Sequence, residues 1–211
     1  MQNYFTVEGT ATGEYTEKRS RFIANIFHCE SEEEAAGIIS DIKTKYWDAR
    51  HNVYAYSLKN NSLSRFSDDG EPHGTAGKPV LDIINGNGIT DTLIIVTRYF
   101  GGVLLGTGGL VRAYSKAAAS AVKAAKIVEM RYCRCFKAVC EYSEHSQLLS
   151  IINLYGGIAG NTEFTDKVIL DFAVPEEMFG IFQKKLAETF SARINVTETS
   201  GKFTAFEKNI N

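Results

Sequence analysis

Residues that can bind an anion are concentrated between residues 92 and 128. A continuous apolar run, TLIIVT, predicts a strand buried on both faces, and Arg98 follows it directly. A glycine-rich segment comes next, and a helix is predicted from about Leu110, with Arg112 in its first turn. The first amides of a helix lack internal partners and carry partial positive charge, so this order predicts an anion-binding loop. Its small residues are Gly101, Gly102, Gly106, Thr107, Gly108 and Gly109.

The glycine-rich segment is also compatible with a tight structural turn, because glycine adopts positive φ angles without strain. Neither common phosphate-binding motif is complete. Gly101 and Gly106 have the spacing of a P-loop, but Thr107 stands where that motif requires lysine. The dinucleotide fingerprint GxGxxG is absent, so the expected anion site is not that of a standard nucleotide hydrolase.

The predicted helix after the glycines carries a stripe of positive charge. Arg112, Lys116, Lys123 and Lys126 recur at helical spacing, and no carboxylate lies between residues 92 and 128. A stripe of this kind is often only a solvated face. Next to two arginines and a glycine loop, it favours binding of nucleic-acid phosphates.

An acidic loop precedes this basic segment. Asp68, Asp69, Glu71 and His73 are close enough in sequence to suggest metal ligands or a general acid and base. The alternative is that these carboxylates satisfy the turns of their own loop or hold the nearby arginines by ion pairing. We expect the second role, and therefore predict no catalytic residue, no metal ligand and no cofactor.

Composition excludes several classes of protein. The 211 residues are 44% hydrophobic and 23% charged, with net charge -2, which is typical of a folded globular protein without a general basic coat. No apolar run reaches the roughly 20 residues of a membrane helix. The four cysteines form no CxxC pair and no secretory leader is evident, so we expect a cytoplasmic location and no membrane partner.

The pattern of elements predicts an α+β protein with two domains, residues 1–132 and 133–211. In the first, strand 18–28 and a helix capped by Ser31 precede the hairpin at 51–66 and the central strand TLIIVT, giving a two-layer α/β domain. In the second, the elements follow the order βαββαβ, a ferredoxin-like arrangement.

Two long segments, SDDGEPHGTAGKPVL and VTRYFGGVLLGTGGLVRAY, resemble the signature of the IMPACT family, in its bacterial YigZ-type branch. The resemblance implies a first domain similar to the second domain of a small-subunit ribosomal protein and to domain IV of elongation factor G. It implies a second domain similar to the ferredoxin-like end of that factor. Eukaryotic relatives regulate translation initiation through protein contacts, whereas no enzymatic activity is implied for the bacterial branch.

Three functions follow as hypotheses. The first is a non-enzymatic, translation-linked factor that binds RNA or the ribosome through the glycine loop and the basic helix face. The second is a small-molecule phosphotransferase that uses the acidic loop for a metal ion. The third is a regulator that acts through a protein partner. The sequence leaves the oligomeric state open.

Overall fold

The computed structural model describes residues 2–59, 62–191 and 193–207. Within these residues the chain divides into two compact units. The first unit comprises residues 4–129 with Glu207, and the second comprises residues 2–3 and 130–206. The domain boundary predicted after residue 132 stays a prediction.

The first unit is built on a five-stranded antiparallel sheet of order β2-β3-β6-β4-β5. The strands of the sheet are β2 Thr10–Glu17, β3 Ser20–His28, β4 His51–Leu58, β5 Leu63–Ser67 and β6 Thr92–Tyr99. The first unit also contains the strand β1 Tyr4–Glu8, which lies outside this sheet. Its helices are α1 Glu32–Lys45, α2 Gly77–Gly86 and α3 Thr107–Ala124. The prediction that TLIIVT forms the central strand is confirmed, since β6 is third of five.

Helices cover both faces of this sheet. Ile94 and Val96 of β6 belong to the core under α2 and α3, whereas Leu93 and Ile95 belong to a separate core with α1. The predicted two-layer arrangement is therefore wrong, and the unit has three layers. The physical reason is the apolar character of successive residues in β6, which leaves neither face able to meet water.

The second unit has the predicted order βαββαβ. Its elements are β7 Lys126–Cys140, which begins in the first unit, α4 Tyr142–Leu154, β8 Ile158–Phe164, β9 Val168–Pro175, α5 Phe179–Phe190 and β10 Asn195–Glu207. β9 pairs antiparallel with both β7 and β8, and β10 pairs with β7. A core rich in phenylalanine joins α4 and α5 to this sheet.

α3 is an amphipathic helix. Tyr114 and four alanines along one side are fully buried against the sheet, and Arg112, Lys116 and Lys123 are exposed on the other side. Across the part of the chain described here, no helix has both the length and the apolarity needed to cross a membrane.

Close packing of β2 on α3 depends on one glycine. A Cβ atom at Gly13 would lie 2.3 Å from Ser120 Oγ and 2.4 Å from the backbone N of Ala121. Backbone atoms cannot move aside as a flexible side chain can, so this contact fixes α3 against the edge of the sheet.

We therefore expect Gly13→Ala to lower the free energy of unfolding by about 1–3 kcal/mol, because the added methyl group overpacks the contact. Gly37→Ala is the matched control, since Gly37 is in α1 and has no atom within 4 Å of the added Cβ. That control should raise stability by roughly 0.5–1 kcal/mol through helix propensity. Urea unfolding measures both values, and equal shifts for the two variants would contradict the close contact.

Candidate functional site

The glycine-rich loop leaves β6 and passes close to the turn between β2 and β3. A Cβ at Gly101 would lie 2.1 Å from the carbonyl carbon of Arg19, and the Gly101 N–H donates to Ser20 Oγ at 3.1 Å. Glycine is thus required at Gly101 for packing. Because its amide already has a partner, Gly101 anchors the loop and offers no free donor to a ligand.

The amides predicted to bind an anion lie at the start of α3. Gly106 is the N-cap, with φ of 71°, and its carbonyl accepts from the Leu110 N–H at 3.0 Å. No side chain among the described residues caps the helix. In the part of the chain that the structure describes, the N–H groups of Thr107, Gly108 and Gly109 have no hydrogen-bond acceptor. These are the groups that a helix leaves available to a negative charge.

Three of the four cations predicted on the α3 face lie in α3, and they differ in their contacts. Arg112 and Lys123 are exposed and form no ion pair with any residue in the described ranges. Nη1 of Arg112 lies 3.6 Å from the position of a Cβ at Gly108, so its guanidinium packs over the first turn of α3. Lys116 Nζ lies 3.1 Å from the Tyr15 hydroxyl and 4.9 Å from the centre of that ring.

Lys126 does not extend this face. α3 ends at Ala124, and Lys126 is the first residue of β7, where its Nζ lies 2.6 Å from Glu8 Oε2. The sequence contains neither glycine nor proline at this helix end, so no residue type marked the end of the helix. The helical spacing of the lysines continues to Lys126 and therefore did not indicate the change to a strand. The helix face therefore carries three of the four predicted cations.

Arg98 differs most from its predicted position. It is only 6% exposed, and its Nη1 donates to Glu71 Oε1 at 2.5 Å. Alternation along β6 places Arg98 on the same face as Ile94 and Val96, under α2 and α3. Arg98 is thus inside the unit and does not share the exposed surface of Arg112 and the first-turn amides.

The buried carboxylate of Glu71 lies close to side chains from three elements of the first unit. Its Oε1 accepts from Arg98 in β6 and from the Tyr114 hydroxyl in α3 at 2.9 Å, and it lies 3.9 Å from Nε2 of His51 in β4. Burial, followed by the charge of Glu71, raises the pKa of Tyr114 far above its usual value, which keeps the hydroxyl protonated as a donor. The interpretation that the acidic loop holds an arginine by ion pairing is confirmed for Arg98.

Asp68 and Asp69 are also used within the protein. Asp68 accepts from the backbone N–H groups of Gly74, Ala76 and Gly77 at 2.8, 3.1 and 2.8 Å, which fixes the turn before α2. Asp69 accepts from the Asn52 N–H at 2.7 Å and from Lys43 Nζ at 2.8 Å. Among the described residues, no group of three or more His, Cys, Asp or Glu side chains is arranged to hold a metal ion.

The three backbone donors determine the charge of Asp68. Burial alone raises the pKa of this carboxyl, but the N–H groups of Gly74, Gly77 and Ala76 outweigh burial and hold the pKa below its usual range. The group is therefore ionised in the folded protein at neutral pH.

Removing one member of the buried pair should destabilise the protein more than removing both. Glu71→Met leaves the Arg98 charge buried without a partner, and we expect it to cost about 3–5 kcal/mol in urea unfolding. In the double variant with Arg98→Met, most of that loss should be recovered, because no unpaired charge remains. A double variant less stable than the single one would show that the two side chains do not act as a pair.

Asp68→Asn tests whether the ionised Asp68 carboxylate stabilises the fold, through the pH dependence of the free energy of unfolding. Because the pKa of Asp68 is lower in the folded than in the unfolded state, its carboxylate stabilises the fold above the unfolded-state pKa, near about 3.9, and that contribution is lost as pH falls through the folded pKa. The variant should be roughly 1–3 kcal/mol less stable at pH 7, with the difference shrinking in acid. Asp41→Asn, on the exposed side of α1, is the control, and a pH-independent difference for Asp68→Asn would contradict the assignment.

The sequence resemblance is confirmed by comparison with protein families. Residues 18–122 match the Impact N-terminal domain, and residues 139–193 match a domain of unknown function designated DUF1949. The first match contains the acidic loop, the glycine-rich loop and most of α3, so the candidate site lies within the family's own domain.

Similar proteins extend over nearly the whole chain. IMPACT family member YvyE of Bacillus subtilis (strain 168) is 31% identical over 212 residues, covering 100% of this chain and 97% of that protein. IMPACT family member YigZ of Escherichia coli (strain K12) is 33% identical over 174 residues, covering 81% of this chain and 85% of that protein. A crystal structure described as that of a hypothetical protein has a TM-score of 0.61 at 30% identity, covering 95% and 98% of the two chains. On this evidence the chain belongs to the IMPACT family.

Proposed function

We propose that this protein is a non-enzymatic, translation-linked factor that binds RNA phosphates through the exposed face of α3 and the amides of its first turn. One observation carries the proposal. Among the described residues, the N–H groups of Thr107, Gly108 and Gly109 have no acceptor, and the Arg112 guanidinium, which forms no ion pair there, packs over the same first turn at Gly108. A helix end and an arginine fork are two groups that favour a phosphate, and here they adjoin on an exposed surface.

The length of the cationic face favours a polymer over a small phosphate ester. At a rise of about 1.5 Å per residue, the distance along α3 from Thr107 to Lys123 is about 24 Å. A single phosphate group would contact only the helix end, whereas a nucleic-acid strand presents phosphates along this whole length. Lys116 and Lys123 have no role in a small-molecule site confined to the first turn.

The charge of the surroundings supports the same conclusion. No carboxylate occurs from residue 92 to residue 128, although the whole chain has a net charge of -2. The α3 segment itself therefore carries only positive charge, although Glu17 of β2 accepts from the Tyr15 hydroxyl that contacts Lys116. A segment of one sign of charge suits recognition of a polyanion by an otherwise acidic protein.

Buried Arg98 and the acidic loop have a positioning role in this proposal. Glu71 joins Arg98 of β6 to Tyr114 of α3, on either side of the glycine-rich loop. Through these two hydrogen bonds, Glu71 fixes the strand before the loop and the helix after it. Since the carboxylates already have partners within the protein, the structure offers no observation in favour of the metal-dependent phosphotransferase.

The proposal predicts weak and strongly salt-dependent RNA binding. Lys116→Glu combined with Lys123→Glu should lower the affinity for a fluorescent RNA oligonucleotide and reduce the slope of log affinity against log salt by roughly 2, because two phosphate contacts are lost. Fluorescence anisotropy at several salt concentrations measures both quantities, and co-sedimentation with ribosomes extends the test to that partner.

A control of equal net charge separates local contacts from general repulsion. Lys45→Glu with Lys184→Glu changes the total charge equally, but Lys45 is in α1 and Lys184 is in α5. The control should retain the original salt slope. If both double variants weaken binding equally, or if neither does, RNA binding by the α3 face is disproved.

A further inference from the structure

A cavity lies wholly within residues 130–206, on the helical side of the second unit's sheet. It is partly open to solvent and has a volume of about 710 Å³ between α5 and the strands β7 and β10. Its apolar walls include the half-buried side chains of Phe179, Leu186, Ile194 and Val196, together with Phe136, Phe182 and Phe190, which are only 5%, 1% and 1% exposed. Pockets for small organic ligands typically have about 300–1,000 Å³ and walls of this composition.

The polar part of this cavity is an ion pair. Nε of Arg134 in β7 donates to Glu198 Oε1 in β10 at 2.8 Å, and a second bond joins Nη2 to Oε2. The guanidinium also lies 3.5 Å from the centre of the Phe179 ring. Both charged side chains line the cavity and keep some exposure to solvent, at 25% and 45%.

The Arg134–Glu198 pair leaves N–H donors on Arg134 and acceptor lone pairs on Glu198 that the pair itself does not use. Arg134 has five N–H donors, and the two bonds to Glu198 leave its Nη1 group unused by that carboxylate. Each Glu198 oxygen retains a lone pair, because a carboxylate accepts about four hydrogen bonds. A ligand with a carboxylate and an ammonium group close together complements both residues at once.

The shape and charge together define one class of ligand. A simple carboxylic acid would face the negative charge of Glu198, and a simple amine would face the positive charge of Arg134. A free amino acid carries both groups on one carbon atom, and an aromatic side chain would contact the half-buried apolar residues of the wall, Leu186, Ile194 and Val196. We propose that this cavity binds a free aromatic amino acid, with its carboxylate on Arg134, its ammonium on Glu198 and its ring against Leu186, Ile194 and Val196.

This proposal is independent of RNA binding by α3, because the cavity residues belong to the second unit. Titration calorimetry of the full chain should show saturable binding of one L-phenylalanine per protein. Phenethylamine lacks the carboxylate and 3-phenylpropionate lacks the ammonium group, so each should bind at least about tenfold more weakly. L-serine, which lacks the apolar ring, should give no measurable binding.

Two substitutions locate the ligand. Leu186→Trp fills the cavity and should abolish binding of L-phenylalanine. Ile181→Trp is the matched control, because Ile181 is on the same helix, is 58% exposed and does not line the cavity. The control should bind as the original protein does, and a circular dichroism melt verifies that both variants are folded.

Glu198→Gln tests the orientation of the ligand. Loss of the negative charge should weaken L-phenylalanine and strengthen 3-phenylpropionate, so the ratio of the two affinities falls by tenfold or more, as expected for a charge-assisted hydrogen bond, at about 1.4 kcal/mol per tenfold. Absence of L-phenylalanine binding would overturn the proposal. Equal affinities for all three aromatic compounds, or binding that survives Leu186→Trp, would overturn it as well.

Discussion

The buried carboxylate of Glu71 is the interaction on which the first unit depends most. It brings an acidic loop, the end of the central strand and the middle of α3 to one point through Arg98 and Tyr114. A buried charge is costly without a partner, so each of these contacts constrains the others. β6 ends at Tyr99, one residue after Arg98, so the buried contacts of Arg98 fix the point at which the glycine-rich loop leaves the strand.

The glycines of that loop divide into two roles. Gly101 is required because the turn containing Arg19 approaches its backbone, and its amide is used by Ser20. The glycines at the start of α3 have open space around them, apart from contacts with Leu105 and Arg112 within the same segment. One glycine therefore places the loop, and the amides of the later ones remain available. This division explains how a well-packed loop can also present free donors.

Local sequence patterns predicted the elements better than the contacts between them. The apolar run of β6 identified the central strand, and Ser31 marked the start of α1, where its hydroxyl accepts from the Glu34 N–H at 3.1 Å. The burial of Arg98 was missed because its partner, Glu71, is 27 residues away in sequence. Alternation along β6 was the available signal, since Arg98 shares the face of Ile94 and Val96. The cavity of the second unit also escaped prediction, because its walls come from three elements that meet only in the fold.

The central claim is that free amides at the start of α3 receive phosphate groups of RNA. Backbone amide chemical shifts of isotope-labelled protein, recorded during titration with a short RNA oligonucleotide, test this most directly. The account predicts that the amide signals of Thr107, Gly108 and Gly109 move most, with smaller changes along α3 and little change at Gly101, whose amide is already bonded. Shifts concentrated on α1 or on the second unit, with the first turn of α3 unaffected, would contradict it.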